Sequence, residues 1–365
     1  MKIRPRTAAL PLLAALCATA LPSAGTATAS DSATTATKPY RIVWDDFRDG
    51  FDAGRENSRW TFPQAGPFIT NDGVTRTSAK GLSLVSGGTN PSTGEPAFTL
   101  TVPQETPQGG LPGGLDHVKW LAFTNHTSSA GYQGFDAEPG RVLSCETTMS
   151  GRTYGTAGHP FGDAVRDSED DLRLASVGMP VLDPETSMIF DFFVSNKRVY
   201  AFYERVTDNR ERLGNYAAFT YAIPVADRDP EDFHRFKISY DRSAGVVRWL
   251  LDGEEVLKVD RIGHRLNTRK NLVLDHGGEE TEVRPRQLSC GMGLFSILDG
   301  ARPGARDDRA LVRLSPAQNR YFRPAVGAPA PQTFHDDTSA ERSRIFGQGA
   351  SLDMRRMVVS SLPAS

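Results

Sequence analysis

The stretch SMIFDFFVSNKRVYAFYERV, residues 187–206, holds the side chains most able to do chemistry. Apolar residues recur at every second position on either side of Asn196-Lys197. A turn centred there pairs Val194 with Val199, Phe192 with Ala201 and Phe190 with Tyr203. Those six form an apolar face suited to a core. The other face then carries Ile189, Asp191 and Phe193 opposite Glu204, Phe202 and Tyr200. Aromatic rings stack on the apolar faces of sugars and carboxylates accept their hydroxyls, so two acids among three rings have the composition of a saccharide cleft. The expected ligand contacts are Phe193, Tyr200 and Phe202 as a stacking platform, with Asp191 and Glu204 as hydroxyl acceptors. A mixed surface strand with a few exposed rings has the same composition. A register slip of one residue would send both acids to the other face.

Glu146, in VLSCETTM, falls on what reads as an adjacent strand. Together Glu146, Asp191 and Glu204 are the candidate catalytic acids, because like charges and aromatic walls raise a carboxyl pKa toward the range of a general acid. His159 and His276, both in long polar loops, are candidate bases, although a lone loop histidine is ordinarily just solvated. Metal-ligand patterns such as CxxC and HExxH are absent, so no cofactor is implied by motif. With a net charge of −2 and no dominant basic patch, neither nucleic acid nor a membrane surface is an expected partner.

Positioning those acids requires strands. Apolar segments here are short, β-branched or aromatic, and separated by Gly- and Pro-rich turns, which indicates an all-β domain with long loops. Residues 232–257, DFHRFKISYDRSAGVVRWLLDGEEVL, alternate through Phe236, Ile238 and Tyr240 and again through Val247, Trp249 and Leu251. Ser243–Gly245 is turn chemistry between two strands, and Asp252-Gly253 makes a second tight turn. Further strands are expected at 40–44, 82–85, 97–102, 118–124, 141–149, 172–177, 187–194, 199–206, 216–223, 287–298 and 352–359. Long loops are expected at 103–116, 150–171 and 268–285, and the second of these has the length of a functional or mobile loop. Gly291 and Gly293 within a strand suggest bulges or close backbone approach.

The 232–257 hairpins resemble the "FHxYxIxW … IxWYVDGxxV" pattern of the concanavalin A-like lectin/glucanase superfamily, and of its laminarinase-type jelly rolls in particular. The opening, YRIVWDDFRDGFDAGRENSRWTF, resembles the "DDFxxxxLDxxxW" start of the same proteins. The resemblance implies an antiparallel concanavalin A-like β-sandwich whose last strand returns beside the first. It also implies a catalytic ExDxE or ExDxxE strand. Laid on MIFDFFV, that motif keeps its middle acid as Asp191, but its first Glu becomes Ile189 and its second falls on Phe193 or Val194. Neither hydrophobe attacks an anomeric carbon or moves a proton, so the hydrolytic set of the family is missing. Proteins of this superfamily often hold a structural Ca2+ where first and last strands meet. Asp45, Asp46 and Asp353 supply oxygens at those ends, and ordinary turn aspartates fit the same positions.

At the N-terminus, Lys2, Arg4 and Arg6 precede an apolar run at 8–21, and Ala27-Thr28-Ala29 has the small-x-small form of a cleavage site. Cys17 follows Leu16, where a lipoprotein signal wants a small residue. The expectation is a secreted protein with a signal peptide at 1–29, a disordered leader at 30–38, a sandwich domain at 39–300, a Pro/Arg-rich irregular segment at 301–345 and a final strand with tail at 346–365. Cys145 and Cys290 then remain as an even pair in an oxidising compartment, which predicts one disulfide. The function expected is binding of an extracellular carbohydrate without cleavage. The alternatives are a polysaccharide hydrolase or lyase with relocated carboxylates, and a structural or partner-binding cell-envelope protein.

Overall fold

The computed structural model describes residues 38–65, 68–89, 94, 118–159, 161–298, 300–304, 311, 313–315, 320–322, 331–332 and 348–364. The expected signal peptide, the strand at 97–102, the loop at 103–116 and most of the 301–345 segment lie outside them. The chain divides into two units, Met1–Lys38 and Pro39–Ser365, and the strands of the described residues all lie in the second.

Two antiparallel sheets pack face to face as a jelly-roll β-sandwich. Its main strands are β1 (Tyr40–Asp45), β2 (Trp60–Thr61), β3 (Gly73–Ser78), β4 (Gly81–Ser86), β5 (Val118–Thr124), β6 (Arg141–Tyr154), β7 (Ser176–Asp183) and β8 (Met188–Val194). They continue with β9 (Arg198–Arg205), β10 (Phe219–Asp227), β11 (His234–Asp241), β12 (Val246–Leu251), β13 (Glu254–Val259), β14 (Leu272–Asp275), β15 (Gln287–Phe295) and β16 (Gly349–Pro363). The first sheet runs β13-β12-β11-β6-β16-β4-β3, with β1 also paired to β16, so the last strand does return beside the first. The second runs β14-β10-β9-β8-β7-β15-β5-β2.

Period-two alternation explains the core. Phe190, Phe192, Val194, Val199, Ala201 and Tyr203 all point inward and are fully buried, facing Phe236, Ile238, Tyr240, Val247 and Trp249 from the other sheet. The Asp252-Gly253 turn has both residues at positive φ, 53° and 99°. Cys145 on β6 and Cys290 on β15 are disulfide-bonded, with Cα atoms 5.7 Å apart, and the bond ties one sheet to the other through the core.

One strand was misplaced by sequence. The 172–177 expectation is replaced by β7, which begins at Ser176 and runs through Pro180 to Asp183. Proline has no N–H to give a ladder and is ordinarily confined to sheet edges, yet β7 lies between β8 and β15. Other boundaries moved as well: 216–223 becomes Phe219–Asp227, 287–298 ends at Phe295 and 352–359 extends to Gly349–Pro363. β6 continues to Tyr154, so the long loop starts at 155 rather than 150, and the 268–285 loop contains the four-residue strand β14. Among the described residues no helix is long and apolar enough to cross a membrane.

Candidate functional site

The register of the 187–206 hairpin is the expected one. Ile189 pairs with Glu204, Asp191 with Phe202 and Phe193 with Tyr200. On the outer face of the second sheet these pairs extend into rows. One runs Ser289, Leu182, Ile189, Glu204, Thr220, Leu274; the next holds Pro180, Asp191, Phe202 and Ala222; a third holds Gly293, Gly178, Phe193 and Tyr200.

The stacking platform, however, is closed. Phe193, Tyr200 and Phe202 are 5%, 2% and 1% exposed, and they form a second apolar cluster with Leu121, Phe123, Leu172, Phe295 and Ile297. The rings pack against one another at tilted angles, with centroids 4.3 Å apart for Phe193–Phe202 and 4.9 Å for Phe193–Phe295. Glycines make the floor on which they lie. A Cβ at Gly178 would stand 3.0 Å from the Phe193 ring, and one at Gly291 would stand 2.6 Å from Phe123. Burying aromatic area is more favourable than leaving it in water, and loop residues Leu172 and Ile297 help cover it. In this conformation no sugar reaches those ring faces.

Asp191 and Glu204 do come together. Asp191 is 1% exposed, accepts the Val181 N–H at 3.2 Å through Oδ1, and is hydrogen-bonded to the Glu204 side chain. Thr220 donates its hydroxyl to Glu204 Oε2 at 2.8 Å. Burial holds the Asp191 carboxyl well above the usual carboxylate range, and the Glu204 charge beside it adds to the shift. Glu204 is half-buried in a row with half-buried Leu182, Ile189 and Leu274, so the pair sits where the closed aromatic patch gives way to an open part of the face.

The local ladder is rebuilt around this pair. Pro180 stands opposite Asp191, the neighbouring Val181 N–H bonds the Asp191 side chain, and the Asp191 carbonyl accepts the Trp249 indole N–H at 2.9 Å. Trp249 belongs to the first sheet. A core tryptophan thus reaches across the sandwich to hold the acid-bearing strand.

Glu146 is not part of this group. Alternation that sends Cys145 into the core sends Glu146 to the outer face of the first sheet, where it meets Arg41 at 3.5 Å. The three-acid grouping expected from sequence therefore does not form. His159 stacks against Phe161 and accepts its N–H at 3.2 Å, while His276 is exposed just past the end of β14. The proposed calcium ligands do not converge either. The Asp45 carboxylate accepts the Phe47 N–H at 2.7 Å and the Trp60 indole N–H at 2.8 Å, and Asp46 accepts the Arg48 N–H. Along β16, Asp45 lies opposite Met357, four positions and about 13 Å from Asp353. Among the described residues no group of three or more His, Cys, Asp or Glu side chains is placed to hold a metal.

Sequence reasoning missed a polar pocket of about 440 Å3 at the Tyr200 end of the aromatic patch, lined by Arg166, Asp167, Asp170, Asp171, Arg198, Tyr200 and 302–304. The loop between β6 and β7 supplies one wall, the start of β9 another. Asp170 Oδ1 accepts the Tyr200 hydroxyl at 2.8 Å and the Ser195 hydroxyl at 2.7 Å, and its other oxygen meets Arg198 at 3.3 Å. Burial and the Asp170 charge push the Tyr200 phenol far up, so it stays a donor. Asp167 pairs with Lys197 at 2.8 Å, and buried Asp171 pairs with buried Arg173 at 2.6 Å. Arg173 also donates to the Ala164 carbonyl, and Asn196 donates to Glu169, which fixes the loop to the hairpin tip. The available signal was the acidic run at 167–171 together with Lys197-Arg198 at a hairpin turn.

Residues 44–363 match the model of a family described as "Family of unknown function (DUF6081)". A curated relative, "Uncharacterized protein L829" of Acanthamoeba polyphaga mimivirus, is 31% identical over 294 residues, covering 65% of this chain and 62% of that protein. The chain thus spans less than two thirds of that relative's length. Among solved structures, an endo-1,3-beta-glucanase from Streptomyces sioyaensis is similar with a TM-score of 0.39 and 12% identity, over 89% of this chain and 96% of that one. The Crh5 transglycosylase gives 0.37 and 12% over 89% and 85%, and alginate lyase A1-II' gives 0.36 and 9% over 83% and 86%. Likenesses this distant carry no argument about activity.

Proposed function

The chain belongs to the family of unknown function DUF6081, and from that premise we propose that it is a secreted protein that binds an extracellular carbohydrate without cleaving it. The observation that carries this reading is the pocket beside Tyr200. Sugar hydroxyls come in neighbouring pairs that both donate and accept, and a wall of alternating Asp and Arg side chains with a phenol supplies both functions. The three Asp side chains and the phenol are already held by Arg173, Lys197, Arg198 and Ser195 and by one another, so they need little ordering on binding. Cleavage by two flanking carboxyls needs them about 5–10 Å apart. Asp191 and Glu204 are instead hydrogen-bonded to each other.

The test is retention of the protein lacking residues 1–29 on a panel of soluble and insoluble polysaccharides. Asp170→Asn keeps the volume of the wall but loosens its hold on Tyr200, Ser195 and Arg198, and losing one charge-assisted hydrogen bond within the wall should weaken retention about 10-fold. If Asp170→Asn melts like the parent and binds just as tightly, the pocket is not the site. If no polysaccharide retains the parent, the reading fails.

A second reading is favoured by the contact between Asp191 and Glu204. A buried carboxyl held above the usual carboxylate range, beside a second acid at the edge of an open face, has the parts for proton transfer in a hydrolase or lyase. On that reading the same panel releases reducing ends or unsaturated products, and Glu204→Gln abolishes the release. A parent protein that releases nothing from any polysaccharide it retains ends this alternative.

A further inference from the structure

We infer that the pocket beside Tyr200 takes an acidic sugar residue, one carrying a carboxylate or a sulfate, and reads it with Arg166 and Arg302. The inference rests on the carbohydrate reading and narrows it to a substrate class.

It follows from which charges in the pocket are already matched. Each carboxylate of the wall has its own cation: Asp167 has Lys197, Asp170 has Arg198, and Asp171 has Arg173. Arg198 is shared further with Asp227. Arg166 and Arg302 line the same pocket, and among the described residues neither meets a carboxylate. Arg166 is exposed on the loop after buried Val165, and Arg302 is half-buried beside Ala301, whose N–H bonds the Val273 carbonyl at 2.7 Å and anchors that segment to β14.

An isolated arginine without a partner is ordinary surface chemistry. Two of them opening on one cavity, among carboxylates that are all engaged, leave two guanidinium forks with no anion to meet among the described residues. A planar fork matches carboxylate and sulfate oxygens in pairs, which gives a point of recognition that a neutral sugar cannot satisfy. The chain as a whole carries a formal charge of −2, so a polyanion gains nothing from the global field and the attraction must be local to this cavity. Tyr200, whose hydroxyl is directed to Asp170, forms the wall between this cation pair and the closed aromatic patch.

The experiment is affinity electrophoresis of the protein lacking residues 1–29 through gels containing polygalacturonate, fully methyl-esterified polygalacturonate, chondroitin sulfate, laminarin or dextran. The esterified and free galacturonans share a backbone and differ in charge, and chondroitin sulfate separates a sulfate reader from a carboxylate reader. Retardation by at least one acidic polymer, at least tenfold stronger than by the neutral ones, is expected. Arg166→Ala with Arg302→Ala should remove that difference, and Arg302→Lys should restore only part of it. Equal retardation by acid and ester, with laminarin or dextran retained as well, overturns the acidic specificity and leaves carbohydrate binding standing. Selective retardation that persists undiminished in the double variant places the acid reader elsewhere and also overturns the inference. Retardation by none of the polymers overturns this inference, and retention on the wider panel of soluble and insoluble polysaccharides then decides the carbohydrate-binding function by itself.

Discussion

Replacing Cys145 and Cys290 together with alanine is expected to lower the stability of the sandwich by about 5 kcal/mol. The bond closes a loop of 145 residues, and in the chain-entropy model the stabilisation grows with the logarithm of that number. Its position adds a second reason to expect a large effect. Cys145 and Cys290 are both fully buried and lie on different sheets, so the bond fixes how the sheets face one another as well as the unfolded chain. Urea unfolding of the parent, the double alanine variant and the chemically reduced parent checks this. The reduced parent keeps both sulfurs in the core, so it separates loss of the cross-link from loss of packed volume. Reduced and oxidised forms with the same midpoint would show that the cross-link contributes nothing.

Trp249→Ala should cost about 3–5 kcal/mol, the usual range for removing a large buried ring. Trp249 is fully buried, packs edge-on to Phe190 at 5.8 Å and Tyr203 at 6.4 Å, and donates its indole N–H to the Asp191 carbonyl. Trp249→Phe is the more informative change. It retains most of the apolar volume but leaves a buried carbonyl without its donor, next to a proline that has none to give, which should cost about 1–3 kcal/mol beyond the lost volume. Thermal or urea unfolding gives the energies. Amide exchange at Val181 and its neighbours reports whether the loss is felt on the acid-bearing strand. If Trp249→Phe is no less stable than the parent and exchange there is unchanged, the bond to Asp191 has no structural weight.

Both predictions begin from residues that sequence reasoning identified, yet neither partnership was fully legible there. Cysteine count and the expectation of an oxidising compartment pointed to the pair Cys145–Cys290, but not to a bond between sheets. Trp249 was legible as an inward strand position, while its contact with Asp191 joins two hairpins 58 positions apart. The 172–177 expectation missed β7, whose centre holds Pro180, a residue ordinarily kept out of central strands because it leaves its neighbour's carbonyl without a donor. Here Trp249 supplies one.

By itself, the sequence determined the all-β class, the 187–206 and 232–257 hairpins, their turns and the faces their side chains take. Each of these depends on interactions between residues close in the chain: a period of two, a residue type that tolerates positive φ, a turn of fixed length. Only the tertiary structure decided that Phe193, Tyr200 and Phe202 are closed against Phe295 and Leu172, that Glu146 lies on the far sheet, and that Asp45 and Asp353 stand apart. The same holds for the pocket, which gathers the 166–171 loop, the start of β9 and residues 302–304. Alternation says which of two faces a side chain takes. What then covers that face is set by loops far away in sequence, which carry no period to read.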